Sequence, residues 1–225
     1  MKYYVANWKA NKNWPQADQW FEIFLKEIGN NKSISDKLKN NLIRIIVCPP
    51  LPFLVPLKEK IGKLKNFYLG AQDISVFEPG THTGETTVDS VKNLVNYVLV
   101  GHSERRIGLN ETNETVRQKA SLAKKHSLEP ILCVRDEKDL IVDVKLKYIA
   151  YEPVDAIGNG NNASLKQILD MKERLQLDKE IIFLYGGSVN EDNIAQYSFS
   201  ESVNGFLIGS ASLNPTSFFK LIKSS

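Results

Sequence analysis

The chain has 225 residues, of which 42% are hydrophobic and 24% charged, and its 29 basic and 26 acidic side chains leave a formal net charge of +3. These values favour a single folded domain, over residues 1–225, and exclude a disordered or collagen-like chain. Charges of both signs are interspersed, so composition gives no sign of nucleic-acid binding, and the longest apolar stretch, residues 45–57, is interrupted by prolines and cannot span a bilayer.

The cysteines and histidines indicate the redox state of the protein and whether it binds a metal. Cys48 and Cys133 each follow a short apolar run, which favours reduced, buried thiols. The three histidines stand at separate places and suggest no metal site. The first nine residues lack the apolar core of a secretory signal. We therefore expect a cytoplasmic protein with no bound metal and no membrane partner.

Short apolar runs alternate with amphipathic stretches along the chain. Eight runs predict strands, at residues 3–6, 44–48, 67–71, 97–100, 130–134, 147–151, 181–185 and 205–208. Helical spacing predicts helices over residues 15–28, 111–125 and 164–175, and capping residues mark three helix starts, at Asn110, Ser164 and Asn214.

This alternation is typical of a parallel sheet wrapped by helices, because the strands are apolar on both faces. Eight units favour closure into a (β/α)8 barrel. The alternative is an open doubly wound sheet, which usually has about five or six strands and often a glycine-rich first turn. In a barrel, the catalytic residues lie just after the carboxyl ends of the strands.

Polar side chains follow the first and fourth predicted strands. Asn7 and Lys9 are suited to hold an anionic substrate, although Lys9 taken alone is more typical of a solvated lysine. His102 opens a turn whose next amides could donate to the imidazole and keep the ring neutral, or could cap a structural histidine. We expect Glu104 to pair with Lys9, and Arg105 and Arg106 to support the outer helices.

The later strands are followed by a carboxylate and by small residues. Glu152, then Pro153 and a glycine-bearing loop, fits a general base under a movable lid, or an ordinary loop with an exposed acid. The turns at 186–190 and 209–212 offer backbone amides to a phosphate. Together these groups suit proton abstraction next to a carbonyl in a small phosphorylated substrate.

Several segments resemble the triosephosphate isomerase family and occur in family order over nearly the whole chain. They are Asn7-Trp8-Lys9, Gly70-Ala71-Gln72-Asp73, Thr83-Gly84-Glu85, Gly101-His102-Ser103-Glu104-Arg105-Arg106, Tyr151-Glu152-Pro153-Val154, Ala156-Ile157-Gly158, Tyr185-Gly186-Gly187-Ser188-Val189 and Gly205-Phe206-Leu207-Ile208-Gly209. The resemblance implies a TIM barrel that interconverts dihydroxyacetone phosphate and glyceraldehyde 3-phosphate, in glycolysis and gluconeogenesis, with no cofactor.

The resemblance also implies residue roles. Glu152 would move the proton between carbons and His102 would polarise the carbonyl, a pairing for which this family is the standard example. Lys9 and Asn7 would stabilise the enediolate, with Ser103 and Glu104 as supporting residues beside them. A lid from Pro153 to Ala163 would close over a phosphate held by backbone amides, and Tyr185 and Ser188 would latch it. The implied phosphate-binding residues are Gly158, Ser188, Gly209 and Ser210.

A homodimer is implied as well. The long loop at residues 73–85 resembles the family's dimer loop, which carries Thr83 at its tip, followed by Glu85. On its own, the loop would suggest only a mobile surface segment.

The chain departs from the family at four points. Asp155 stands where a lid tryptophan is usual, Arg135-Asp136 where Gly-Glu is usual, and Ser210 where the phosphate turn has glycine. We hypothesise that an Arg135–Asp155 ion pair replaces the usual lid contact. Only twelve residues separate Val134 from Lys147, so the fifth helix should be a turn or two, or coil.

Two alternative functions stay open at this point. A catalytically silent barrel could retain phosphate binding as a sensor or structural subunit. An isomerase of the same kind could also act on a different small sugar phosphate. The altered lid is the only sequence feature that favours the silent barrel, and Lys9, His102 and Glu152 favour an active enzyme.

Overall fold

The predicted parallel barrel is confirmed in a computed structural model that describes residues 1–141, 143–153 and 162–225. Eight parallel strands pair in chain order, and β1 also pairs with β8, so the sheet closes. The strands are β1 (Lys2–Asn7), β2 (Ile43–Cys48), β3 (Phe67–Ala71), β4 (Tyr97–Val100), β5 (Glu129–Val134), β6 (Tyr148–Tyr151), β7 (Ile182–Tyr185) and β8 (Gly205–Ile208). Three of the eight predicted strands match to the residue, four differ by one residue at one end, and β1 is one residue longer at both ends.

Helices surround the barrel. They are α1 (Trp14–Asn30), α2 (Lys32–Lys39), α3 (Leu54–Ile61), α4 (Val88–Val91), α5 (Ser103–Gly108), α6 (Asn113–Lys125), α7 (Leu165–Arg174), α8 (Ile194–Ser198) and α9 (Pro215–Lys223). The caps predicted at Ser164 and Asn214 are confirmed, since each side chain accepts a hydrogen bond from the amide three residues on. No helix within the described residues is both long enough and apolar enough to cross a membrane.

The cap predicted at Asn110 is wrong. Asn110 has φ +54°, a left-handed conformation that belongs to the turn between α5 and α6. The α6 helix instead begins after Thr112, whose extended backbone lets its hydroxyl accept from the amide of Thr115. A cap needs this extended backbone, and composition alone did not distinguish the two residues.

The core has two layers. Side chains inside the barrel form one buried cluster, and a larger cluster fills the space between strands and helices. In the outer layer, Trp20 and Phe24 of α1 stack at 4.6 Å and pack on Phe218 of α9. This packing follows from the i, i+4 spacing of apolar residues on α1, which places them on one face.

The connection from β5 to β6 is as short as predicted. In its described part, it contains one 3-10 turn, Glu137–Asp139, in place of a helix. Ile141 and Leu146 are buried against the outer core and cover the barrel there. Apolar side chains of the connection itself thus cover this side of the barrel.

Candidate active site

A cavity of about 280 Å³ opens at the carboxyl ends of the strands. It brings together side chains from β1, the β4–α5 turn and the end of β6, and the small-residue turns that follow β7 and β8. The predicted site residues that line it are Asn7, Lys9, His102, Glu152, Ser188, Gly209 and Ser210. The cavity thus joins basic, imidazole and carboxylate groups that are far apart in sequence.

Lys9 is held at the mouth of the barrel by backbone contacts. Its amide donates to Asn7 Oδ1 at 3.1 Å, and Gln72 Nε2 donates to the carbonyls of Lys9 at 2.8 Å and of Cys48 at 2.9 Å. Lys9 has φ +53°, a left-handed conformation that costs a lysine roughly 1–2 kcal/mol. The backbone of Lys9 is therefore held by the surrounding structure, and Gln72 is a holding residue that the sequence did not predict.

The predicted Lys9–Glu104 ion pair is present. Lys9 Nζ lies 2.5 Å from Glu104 Oε1, and the carboxylate is about half exposed. An exposed pair of this kind contributes little to stability. Its effect is to hold the Lys9 side chain, which lines the cavity.

His102 is the N-cap residue of α5, and only 5% of its surface is exposed. The amide of Glu104 donates to His102 Nδ1 at 3.2 Å, as the sequence predicted. An amide donated to Nδ1 leaves the proton of a neutral ring on Nε2. Next to His102, the Ser103 hydroxyl is buried and has no hydrogen-bond partner among the described residues.

Glu152 faces His102 across the cavity and is also 5% exposed. Its Oε1 lies 3.2 Å from His102 Nε2. Neither Nε2 nor Glu152 Oε2 has a hydrogen-bond partner within the described parts of the chain. Buried polar atoms without partners are costly, so these two atoms are suited to receive a polar ligand.

The pKa of His102 reflects two opposed causes. Burial disfavours the imidazolium and is the largest single effect, but the Glu152 carboxylate, and then Glu104, favour it, so the pKa of His102 is raised above 6.5. The Glu104 amide on Nδ1 acts the other way. The neutral ring predicted from the sequence stays a prediction for the liganded site, where substrate would separate the two side chains.

We expect Glu152→Gln to lower the pKa of His102, because it removes the negative charge next to Nε2. A histidine with a raised folded-state pKa stabilises the fold below its unfolded pKa, and this stabilisation is lost as pH rises through the folded pKa. As pH rises above about 6.5, the free energy of unfolding of the variant should therefore fall less than that of the parent chain. A nitrogen-15 NMR titration of the ring measures the shift, and a pKa that stays the same or rises would contradict it.

Gly186 packs directly beneath Glu152. A Cβ built on Gly186 would lie 2.7 Å from Glu152 Cγ and 3.4 Å from the carbonyl of Tyr151. Only a glycine leaves the carboxylate in its observed place. Sequence reasoning placed Gly186 in the phosphate turn and missed this contact.

We expect Gly186→Ala to lower kcat by roughly 10-fold to 100-fold, because its methyl group would displace Glu152 by a large fraction of an ångström. Steady-state kinetics measure the effect. Gly29→Ala is the matched control, since nothing lies within 4 Å of a Cβ at Gly29. Equal kinetics for the two alanine variants would refute the packing argument.

Cys133 lies next to Glu152 inside the barrel. Burial, and then the negative charge of Glu152, raise the pKa of the Cys133 thiol. Burial likewise raises the pKa of Cys48. Both cysteines are free in this structure, in agreement with the predicted buried thiols.

The two small-residue turns are fixed from outside the cavity. Asn193 Nδ2 donates to the Ser188 carbonyl at 3.0 Å, and Ser212 Oγ donates to the Gly209 carbonyl at 2.7 Å. Ser210 opens a 3-10 turn, Ser210–Ser212. The turns are preformed on one side of the cavity, as a phosphate site would require.

The described ends of the predicted lid are Pro153, which directly follows Glu152, and Ala163. The Tyr185 hydroxyl accepts from the Ala163 amide at 3.1 Å, and Tyr197 donates to the Ala163 carbonyl at 3.0 Å. Asp155 and Gly158 lie outside the described residues. Tyr185 thus holds one end of the segment, and its action as a latch stays a prediction.

Arg135 makes a different ion pair from the one hypothesised. Its guanidinium binds Asp139, with Nε–Oδ2 at 2.7 Å and Nη2–Oδ1 at 2.9 Å. Pairing of Arg135 with Asp155 stays a hypothesis, and it would require Arg135 to share or leave Asp139.

The predicted dimer loop is on the surface. Thr83 and Glu85 are exposed, and the Glu85 amide donates to the His82 carbonyl at 3.1 Å. Phe77, which is 44% exposed, stacks on His82 at 4.0 Å. The loop thus presents an ordered aromatic pair to solvent.

Comparison with known proteins decides the family. The family model described as triosephosphate isomerase matches residues 2–225. The chain belongs to the triosephosphate isomerase family. Similar curated proteins carry that name in Mesomycoplasma hyorhinis (33% identity, covering 97% of this chain and 96% of the relative) and in Buchnera aphidicola subsp. Cinara cedri (31% identity, 97% and 96%). A third, from Trichodesmium erythraeum, is 33% identical with the same coverage.

Membership in the triosephosphate isomerase family makes this chain an isomerase and confirms the resemblance found from the sequence. Among the described residues, no group of three or more histidine, cysteine, aspartate or glutamate side chains is arranged to hold a metal ion.

Proposed function

We propose that the cavity interconverts dihydroxyacetone phosphate and glyceraldehyde 3-phosphate through an enediolate, the step that links these trioses in glycolysis and gluconeogenesis. The observation that carries this assignment is the position of Glu152 and His102, both buried, 3.2 Å apart and in one cavity with Lys9. The substrate class follows from the family and from the preformed turns after β7 and β8.

Glu152 acts as the base. Its carboxylate removes a proton from the carbon next to the carbonyl and returns it to the neighbouring carbon. The unpartnered Oε2 atom is free to accept this proton. Gly186 keeps the carboxylate in place from below.

His102 and Lys9 act on the oxygens. The proton on His102 Nε2 polarises the carbonyl, and the ring then moves protons between the two substrate oxygens. The Lys9 ammonium, with Asn7 beside it, stabilises the negative charge of the enediolate. These groups need no cofactor or metal for the proton transfers.

The phosphate would lie against the turns after β7 and β8. Backbone amides of Ser188, Gly209 and Ser210, with Gly158 of the lid, would bind its oxygens. Lid closure would exclude water and protect the enediolate from losing phosphate.

A coupled assay with glyceraldehyde 3-phosphate tests the assignment. Turnover of the purified chain is the expected result. No turnover, with retained binding of a phosphate-bearing triose analogue, would support the silent barrel instead. Faster turnover of another small sugar phosphate would shift the substrate assignment. No observation in the described structure favours either alternative.

We infer that the protein is cytoplasmic. We further infer that a second copy of this chain binds beside the dimer loop. A second cavity, of about 330 Å³, lies at the base of the loop, lined by Pro49, Gln72 and Arg105 among others, and could take the Thr83 tip of a partner. Exposed Leu51 also lines this cavity, and exposed Phe77 lies two residues after its lining residue Ser75. Sedimentation analysis should give twice the chain mass, and Thr83→Arg should shift the protein to monomer.

A further inference from the structure

Arg106 is a buried arginine that contacts the peptide before His102. Its side chain is 3% exposed. Its Nε donates to the Gly101 carbonyl at 2.7 Å, and its Nη1 donates to Asn113 Oδ1 at 2.6 Å. A Cβ on Gly101 would lie 2.6 Å from Arg106 Nη2. The guanidinium therefore packs flat against the backbone that carries the imidazole.

Two acceptors of Arg106, the Gly101 carbonyl and the Asn113 amide oxygen on α6, are neutral. The buried positive charge of the guanidinium therefore requires a carboxylate. Asp139, in the short β5–β6 connection, supplies it. Its Oδ1 lies 3.5 Å from Arg106 Nη1, and its main-chain carbonyl accepts from Nη2 at 3.4 Å. Asp139 is itself 3% exposed.

Asp139 is held firmly in this position. Arg135 binds both of its oxygens, and the Arg135 amide donates to Oδ2 at 2.9 Å. Burial alone would raise the pKa of Asp139, but these donors and the nearby Arg106 outweigh it and lower the pKa. The carboxylate thus stays ionised between two guanidinium groups.

We propose that Asp139 is a positioning residue for His102, acting through Arg106. By pairing with the buried guanidinium of Arg106, it keeps that group on the Gly101 carbonyl and so fixes the peptide from which the imidazole projects. The short β5–β6 connection, which has a 3-10 turn in place of a helix, thereby orients the imidazole of His102. This inference rests on the proposed isomerisation.

The physical reason lies in charge repulsion. Without the carboxylate, the charge of buried Arg106 would be disfavoured by the like charge of Arg135, whose side chain is 29% exposed. Arg106 would then move towards water and release the Gly101 carbonyl. A small displacement of His102 is sufficient to slow catalysis that depends on a near-attack geometry.

The test is Asp139→Asn in the full chain. We expect kcat to fall roughly tenfold while KM changes less than about twofold, since the phosphate turns are untouched. The ring nitrogen-15 signals of His102, assigned by their loss in His102→Asn, should shift. Asp143→Asn is the matched control, because Asp143 lies in the same connection but pairs with exposed Arg117. We expect this control to behave as the parent chain.

Two results would overturn the proposal. One is a folded Asp139→Asn variant of lower melting temperature but parental kcat, which would make the role structural only. The other is a lowered kcat with unchanged His102 ring signals. If Asp139→Asn does not fold, Arg106→Lys is tested instead, because a compact ammonium cannot span the positions at which three different guanidinium nitrogens contact Gly101, Asn113 and Asp139. It should show the same loss of kcat and the same ring shift, and parental values of either would refute the proposal.

The ring signals also separate the two proposals. If the parent chain lacks isomerase activity, the proposed function fails. The nitrogen-15 shift between the parent chain and Asp139→Asn then still decides whether Asp139 positions His102.

Discussion

Glu152→Gln should lower kcat by roughly 10²-fold or more, because it replaces the only carboxylate among the described cavity-lining residues with a group that cannot accept the proton. Glutamine has nearly the same shape, so the packing on Gly186 should persist. The coupled assay measures the loss. Circular dichroism checks that the variant is folded.

The expected loss of activity in Glu152→Gln lies in the rate of the chemical step and not in substrate binding. The affinity for a phosphate-bearing triose analogue should change by only a few fold, since the turns after β7 and β8 are unaltered. Glu173→Gln on α7 is the matched control, because this exposed glutamate carries no catalytic role. A loss of less than tenfold for Glu152→Gln would refute the assignment of the base.

Lys119→Met should lower the free energy of unfolding by about 3–5 kcal/mol, the usual cost of removing one partner from a buried ion pair. Lys119 is 4% exposed. Its Nζ binds both oxygens of Asp73, at 2.8 and 2.7 Å, and also Glu111. Methionine fills the space of the side chain but leaves the two carboxylates with Arg105 as their remaining ion-pair partner among the described residues.

Urea denaturation at a fixed protein concentration measures this loss. Lys92→Met is the matched control, because Lys92 pairs with Asp89 at the surface and should contribute at most about 1 kcal/mol. Equal losses for the two variants would contradict the argument. Without Lys119, protonation of Asp73, whose pKa is already raised by burial, relieves its repulsion with Glu111, so the loss should shrink at low pH.

The pKa of Asp73 already indicates the cost of its burial. Burial raises it, and Lys119 and then Arg105 only partly offset this effect. The cluster links the β3 end to α6 and lies next to the loop proposed to bind a second copy. Loss of this cluster should therefore lower the stability of the fold and of the base of the dimer loop.

The strands and the order of the catalytic groups were determined by the sequence. Alternation of apolar runs and amphipathic stretches is a local pattern, and it was sufficient to place β3, β4 and β8 to the residue. Because the carboxyl ends of parallel strands meet at one edge, the residues after each run could be assigned to one site. Local capping chemistry likewise placed the start of α7 at Ser164.

Only the tertiary structure decided which side chains hold that site together. Gln72 on Lys9, Gly186 under Glu152, and Asp139 on Arg106 are contacts between segments far apart in the chain. No periodicity or cap encodes such contacts, since they depend on how close two strands or loops come after the barrel closes. Arg135 is a further case: folding of the short connection brings Asp139 within 2.7 Å of its guanidinium, a pair that no pattern in the sequence predicted.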